Sequence, residues 1–377
     1  MQVKKNIVFV SNSGSIGGAQ RCLLDLIYQL PINLKPIVII PRKGKFELEL
    51  INNEIEYKII NFRGWWYSKF RIKLLERLIN NFFCLFKAFQ YLKNKNVSLV
   101  YTNTLYSPFG AILAYRLKVP HIWHIHEFTH LNYIQKFDFG IKNSLNFVNS
   151  FSNEIICPSN ILKSDILNFV NPNKIFVINN GTEITYNISQ NTPKQHHNQT
   201  LKLIMIGSVI NFKGHYDAIL LLNKLILNNI DTTLFIVGDG DKRFIKELKN
   251  FANNLGVKDL IVWTGFKENV INEINKADIL LVCSKHETFG MTILEAMSNH
   301  CPVISTKNGG AEEIIVDGYN GYLYESGNIE MLYKCTLNLL DEKNYNQIRI
   351  NAYSIIKEKF NKTYNAKKII QRINDLI

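Results

Sequence analysis

The segment Ser284 to His300, SKHETFGMTILEAMSNH, concentrates groups able to hold a charged, hydroxyl-rich ligand. Glu287 follows an apolar run, DILLVCS, that reads as a strand, and Phe289, Gly290, Met291 and Thr292 open a stretch that reads as a helix. The first amides of a helix lack intrahelical acceptors and stand at the positive end of its dipole, so they suit a diphosphate. Glu295 falls about 7.5 Å farther along the same helix by its rise per residue. Carboxylates accept hydrogen bonds from polyol hydroxyls, so carboxylate, amides and second carboxylate together fit a nucleotide sugar better than either half alone.

Lys213 stands in a second strand-to-helix loop, GSVINFKG, where an ammonium beside a helix N-terminus neutralises phosphate charge. Gly14, Gly17 and Gly18 follow the first strand and open a helix; their backbone either approaches a phosphate there or simply turns the chain. The spacing SGSIGGAQ is not G-x-G-x-x-G, and no acidic residue ends the second strand, KPIVIIPRKG, so dinucleotide binding is disfavoured. Asp239 and Asp241 in VGDGD suit helix N-capping better than metal binding. His121, His124, His126 and His130 form the only histidine cluster, and on a strand His124 and His126 share one face, with Glu127 on the other. No second cluster supplies further ligands, since His196 and His197 sit in a polar stretch, so no metal site is expected. His126, nearest the strand's carboxyl end, is the histidine expected to line a cleft.

Short β-branched runs alternate along the whole chain with amphipathic stretches, from NIVFVSN through SLVYTN and TTLFIVG to PVIST. That alternation is the pattern of βαβ units and parallel sheets. Tyr186 to Thr200, YNISQNTPKQHHNQT, is almost devoid of apolar residues and reads as a linker. The expected fold class is therefore α/β, two Rossmann-like doubly wound domains facing each other across a cleft: residues 1–185, a linker at 186–200, a second domain at 201–360, and a C-terminal helix at 361–377 packing back on the first. A ligand would lie between the carboxyl ends of the two sheets.

The 377 residues are 46% hydrophobic and 20% charged, enough apolar surface for sizeable cores and no case for disorder. The six cysteines are widely spaced without C-x-x-C, and no window approaches 18 consecutive apolar residues; both features predict a cytoplasmic protein without a membrane span. Charge is uneven. Residues 1–200 hold 23 Lys+Arg and 11 Asp+Glu, a balance of +12, and the remainder 21 and 20, a balance of +1. One half thus faces something anionic. On a helical wheel Lys69, Lys73, Arg77, Asn80, Cys84 and Lys87 share a stripe opposite Leu74, Leu75, Leu78, Ile79, Phe82, Leu85, Phe86 and Phe89. Such a basic amphipathic helix either packs its apolar stripe on a sheet or lies on a membrane, and Trp65 and Trp66 before it favour a membrane interface. No nucleic-acid recognition pattern accompanies the charge.

The run ETFGMTILE, with seven residues between Glu287 and Glu295, resembles the E-x7-E signature of the retaining GT-B glycosyltransferases of family 4. GGAQ, HIHE, the K-G of NFKGH, VGDG, WTGF and GGAEEIIVDGYNGYL extend the resemblance along nearly the whole chain. It implies donor binding mainly by the second domain and acceptor binding by the first, without metal or cofactor. Glu287 would then hydrogen-bond donor-sugar hydroxyls, the amides of Phe289 to Thr292 hold the diphosphate, Glu295 the ribose, Lys213 the phosphates, Gly17 and Gly18 the phosphate from the first domain's side, and His126 lie beside the anomeric carbon. Ser208 stands where the family usually carries an arginine, and Gln20 where it commonly has a glutamate.

The function these features predict is transfer of a sugar from a nucleotide-sugar donor to a glycan or lipid-linked acceptor, at an anionic membrane surface, in cell-surface polysaccharide synthesis. The competing readings are a nucleotide-sugar isomerase of 2-epimerase type, which shares the architecture, and a catalytically inactive relative.

Overall fold

A computed structural model describes residues 4–65, 71–129, 137–184 and 200–377. Residues 186–199 of the expected linker, Trp66, Lys69, His130, His196 and His197 lie outside the described residues. The chain divides into two compact units, Met1–Asn180 with Lys362–Ile377, and Gly181–Asn361.

In the first unit the strands are β1 (Lys5–Ser11), β2 (Leu34–Ile40), β3 (Glu56–Ile59), β4 (Val97–Asn103), β5 (His121–His124), β6 (Glu154–Cys157) and β7 (Ile175–Val177). They form one sheet in the order β3-β2-β1-β4-β5-β6-β7, every neighbouring pair parallel. Ile7 to Val10 are all buried, as a strand covered by helices on both faces requires. The connecting helices are α1 (Gly18–Tyr28), α2 (Lys45–Asn52), α3 (Arg71–Leu92), α4 (Phe109–Leu117), α5 (Gly140–Phe151) and α6 (Asn160–Ile166). Strand order reverses between β1 and β4, which is where a doubly wound sheet opens a crevice at its carboxyl edge.

The second unit holds β8 (Leu201–Ile206), β9 (Thr232–Val237), β10 (Ile261–Gly265), β11 (Ile279–Val282), β12 (Val303–Thr306) and β13 (Tyr322–Tyr324). Its parallel order, β10-β9-β8-β11-β12-β13, repeats the first pattern, with the reversal between β8 and β11. The helices are α7 (His215–Leu227), α8 (Lys242–Asn254), α9 (Ile271–Ile274), α10 (Met291–Ser298), α11 (Ile329–Leu340) and α12 (Glu342–Lys359). Asp241 caps α8 by accepting the amides of Arg243 and Phe244 at 2.8 and 3.1 Å. The last helix, α13 (Lys362–Leu376), belongs to the first unit, burying Ile369, Ile370 and Ile373 there. Arg372 of α13 ion-pairs with buried Glu154 and lies 3.9 Å from the centroid of the Phe176 ring.

Three local expectations need correction. The HIWHIHEF strand ends at His124, so Ile125 and His126 lie in the loop beyond it. Trp65 is no interfacial indole: it is buried, stacks on Trp123 at 5.9 Å and donates Nε1–H to Leu105 O at 2.8 Å. The third concerns α3, which packs through Arg77, Asn80 and Cys84 of its polar stripe rather than through its apolar stripe, with Lys73 and Lys87 left exposed. Cys84, Ala88 and Leu92 enter the core, Arg77 holds both oxygens of Asp138 at 2.6 Å, and Asn80 donates to Asn61 O at 2.8 Å. Cysteine and alanine let the helix approach the sheet closely, and the polar groups beside them have partners, so neither bars this face from packing. Leu75, Leu78, Ile79, Phe82 and Phe86 are left exposed.

All six cysteines lie among the described residues and none forms a disulfide. Among the described residues, no helix is long and apolar enough to cross a membrane.

Candidate functional site

The second unit's site forms where β8 and β11 part. The loop after β8 turns through Asn211–Lys213, and Gly214 then starts α7 with φ +71°. A Cβ at Gly214 would collide with the carbonyl oxygen of Cys283, so only glycine lets this loop lie against the end of β11. Lys285 N donates to Phe212 O at 2.9 Å and fastens the two loops together. Glu287 is gripped through its backbone by the Asn308–Gly310 turn: its amide donates to Asn308 O at 3.2 Å and its carbonyl accepts from Gly310 N at 3.0 Å. With both loops fixed, Lys213 Nζ ion-pairs with Glu287 Oε1.

This pair lines a pocket with Gly207, Ser208, His215 and Thr292. Thr292 is in the first turn of α10, whose N-cap, Gly290, has φ +113°, a conformation that L-residues rarely adopt. Lys213, Glu287 and Thr292 are thus brought together as expected donor-site residues. Glu295 lies on α10 nearly one turn past Thr292, outside the lining of this pocket. The Phe289 side chain is buried and packs on Phe360, its ring 5.8 Å away, so Phe289 contributes to the core as well as to the loop. Gly290 and Met291 complete the turn that leads into α10.

His215 is a site residue that sequence reasoning missed, although it directly follows the K-G of NFKGH. It is 2% exposed, and its Nδ1 has no hydrogen-bond partner among the described residues. Burial, assisted by the charge of Lys213, pushes its pKa down to about 4, so the imidazole is neutral near pH 7. The pocket therefore presents one cation, one carboxylate, hydroxyls from Ser208 and Thr292, and a neutral ring.

In the first unit, Gly17 caps α1, and its amide donates to Gln20 Oε1 at 3.1 Å. That bond engages the Gly17 amide expected for a phosphate. Gln20 also donates to Asn12 Oδ1 at 2.5 Å, a bond that a carboxylate at this position would not donate. Gly18 is the first residue of α1. His126 Nε2 lies 3.0 Å from Asn103 Oδ1, and Asn103 Nδ2 donates to Ala19 O at 3.1 Å. Asn103, also missed from sequence, therefore ties His126 to the start of α1. Because its amide nitrogen faces a carbonyl, its oxygen faces the ring, so Nε2 carries the His126 proton and Nδ1 keeps its lone pair. Burial lowers the His126 pKa to about 4. Its ring lies tilted by 39° against that of His124 with centroids 3.9 Å apart, whereas His121 and His124 are buried packing residues.

The loops carrying these groups are held tightly. Glu127 Oε2 accepts the amides of Leu105 at 2.9 Å and His126 at 3.2 Å, and burial raises the Glu127 pKa. Thr104, next to Asn103, has φ +78°, strained for a β-branched residue, and is fixed by Trp123 Nε1–H on its carbonyl at 2.8 Å. Among the described residues no three His, Cys, Asp or Glu side chains gather as a metal site.

Comparison with known proteins gives this arrangement its family. Residues 188–355 match the family model described as glycosyl transferases group 1, and residues 16–186 match that of glycosyltransferase family 4. An uncharacterized glycosyltransferase of Methanocaldococcus jannaschii is 27% identical over 330 residues, covering 82% of this chain and 88% of the relative. The alpha-monoglucosyldiacylglycerol synthase of Streptococcus pneumoniae is 26% identical over 63% of this chain and 58% of its own length. Among solved structures, Anabaena HepE in complex with UDP superposes with a TM-score of 0.83 at 22% identity, covering 98% of this chain and all of HepE. With two family models meeting near residue 187 and two parallel-sheet units beneath them, the chain belongs to the group 1 glycosyltransferases of GT-B fold, with a family 4 domain as its first half.

Proposed function

We propose that this glycosyltransferase moves a sugar from a nucleotide-sugar donor, UDP-linked in the first instance, to a hydroxyl of a glycan or lipid-linked acceptor, with the anomeric configuration retained. The reaction serves cell-surface polysaccharide or glycolipid synthesis on the cytoplasmic face of an anionic membrane. The observation that carries the reading is the meeting of Lys213 and Glu287 in one pocket beside Thr292 at the head of α10. A cation and a helix N-terminus neutralise the charge that develops on a departing diphosphate, and a carboxylate orients sugar hydroxyls. HepE, solved with UDP and with UDP-glucose, supports a uridine donor, and the pneumococcal relative, named as a synthase of a glucosylated diacylglycerol, supports a lipid-linked acceptor.

In the proposed reaction the acceptor hydroxyl attacks the anomeric carbon from the face the nucleoside diphosphate leaves, and the departing phosphate takes the hydroxyl proton. No side-chain nucleophile and no metal enter. Lys213, the α10 amides from Phe289 to Thr292, and the backbone at Gly18 hold phosphate, with Gly17 joining them only if its amide leaves Gln20 Oε1; Glu295 holds the ribose; neutral His126 lies beside the anomeric carbon with its Nδ1 lone pair available to a sugar hydroxyl.

The test is nucleoside diphosphate release from a panel of UDP-, GDP- and ADP-sugars, with and without a lipid extract as acceptor. Release from one donor, lost in Glu287→Ala, is the expected result; epimerised free nucleotide sugar without release, or no turnover of any donor, refutes the reading. Anomeric proton coupling in the product decides retention.

A further inference from the structure

Helix α3 turns its apolar side away from the protein. Leu75, Leu78, Ile79, Phe82, Phe83 and Phe86 are each between 49% and 61% exposed. Taken at 100° per residue they occupy one continuous face, opposite the Arg77, Cys84 and Ala88 side that packs on the first unit. Isolated exposed apolar residues need no explanation, but a contiguous strip with three phenylalanines marks an interaction surface. The sequence leaves open which face packs; the structure turns the apolar face outward while Lys73 and Lys87 of the basic stripe stay exposed as well.

We propose that α3 lies in the plane of an anionic lipid bilayer with this face inserted at the boundary between headgroups and acyl chains. The inference rests on the membrane location in the proposed function and specifies how the surface is held. Lipid is favoured over a second copy of the chain by charge. Residues 1–200 carry 23 Lys+Arg against 11 Asp+Glu, so pairing two copies by this helix sets two strongly positive halves face to face, whereas an anionic surface attracts them. Lys73, Lys87 and Lys93 are exposed along or just beyond the helix, and Arg63 is exposed just before it. At 22 residues α3 has a length of about 33 Å, room for the whole strip to lie flat.

The docking face is coupled to the reaction edge of the same unit. Asn81 of α3 donates to Arg63 O at 2.9 Å and accepts from Arg63 N at 2.8 Å. Arg63 O in turn accepts from Ser107 Oγ at 3.2 Å, four residues beyond Asn103. A bilayer held by α3 therefore lies against the same unit that carries His126.

The experiment is co-sedimentation of the full chain with vesicles of phosphatidylcholine alone and of phosphatidylcholine mixed with phosphatidylglycerol, at low and high salt, with sedimentation equilibrium in the absence of lipid. Phe82→Ser/Phe83→Ser/Phe86→Ser removes exposed rings only, and its thermal unfolding and its UDP binding in solution verify the fold. The expected result is binding of the parent to anionic vesicles that partly survives high salt, at least about tenfold weaker in the triple variant. A second readout is Phe82→Trp, whose indole fluorescence should be quenched by brominated acyl chains. Parent and triple variant binding anionic vesicles equally, with no quenching in Phe82→Trp, overturns insertion by α3 while leaving the membrane location standing. A parent that binds no vesicle overturns the location itself. A lipid-independent dimer that the triple variant dissolves assigns the face to a second copy and overturns the proposal.

Discussion

Lys213 and Glu287 lie 74 residues apart in sequence, yet their side chains are ion-paired in the pocket between the ends of β8 and β11. Each is partly exposed, so the pair adds little to stability; its importance is that two opposite charges are held at one point before any ligand arrives. On the proposed function a donor would separate them, its phosphates taking the ammonium and its sugar hydroxyls the carboxylate. Lys213→Ala and Glu287→Ala are each expected to lower kcat/KM by at least about tenfold, close to 1.4 kcal/mol of transition-state stabilisation. The double variant should lose less than the sum of the two singles, because each single strands the other charge. Steady-state kinetics of all three decide this, and unchanged kinetics in a folded single variant refutes the site.

Asn103 is expected to position His126 without touching the donor. Asn103→Ala removes the oxygen that holds Nε2–H and the bond to Ala19 O, so the ring loses its fixed tautomer and its tie to α1. Turnover should fall by about tenfold while nucleotide affinity stays within about twofold. Nitrogen chemical shifts of the His126 ring should show a protonated Nε2 in the parent and a tautomer mixture in the variant. A kcat equal to the parent's, with ring shifts unaltered, rules the positioning role out.

Gly214→Ala tests whether close backbone approach places Lys213. The substitution puts a Cβ into the Cys283 carbonyl at φ +71° and is expected to cost about 2 kcal/mol or more while moving the lysine off Glu287. Urea unfolding reads the first effect and donor titration the second. Full donor affinity in the variant shows that the loop adjusts and that glycine here is not what positions the ammonium.

These residues differ in how far the sequence announces them. Both parallel sheets are legible, because strands buried on two faces must be continuous apolar runs and the helices between them must not. Glu287 and the turn into α10 are legible too, since one short segment carries them. Asn103 is not: it reads as an ordinary strand end, and only the adjacency of β1, β4 and β5 sets it between α1 and His126. The orientation of α3 is hidden for a related reason. Periodicity shows two faces and does not tell which one packs, and Arg77 turns inward because Asp138, 61 residues away, is there to receive it.

Acid should destabilise the folded chain before it reaches the usual carboxylate range, and the cause is its buried histidines. Burial lowers His121 to about 3 and His126, His215 and His300 to about 4, and holds His124 well below its ordinary value. In the unfolded chain all five titrate near the ordinary histidine value of about 6.5. Between those values and about 6.5 the unfolded chain binds protons that the folded chain does not, so stability is lost as pH falls through that window. Each histidine contributes a slope of up to about 1.4 kcal/mol per pH unit. Glu127, raised by burial, works in the opposite direction, but it is one group against five. Urea midpoints taken from about pH 7 to about pH 5 should therefore decline steadily. A flat or rising midpoint over that range would mean that the rings take up protons in place in the folded chain.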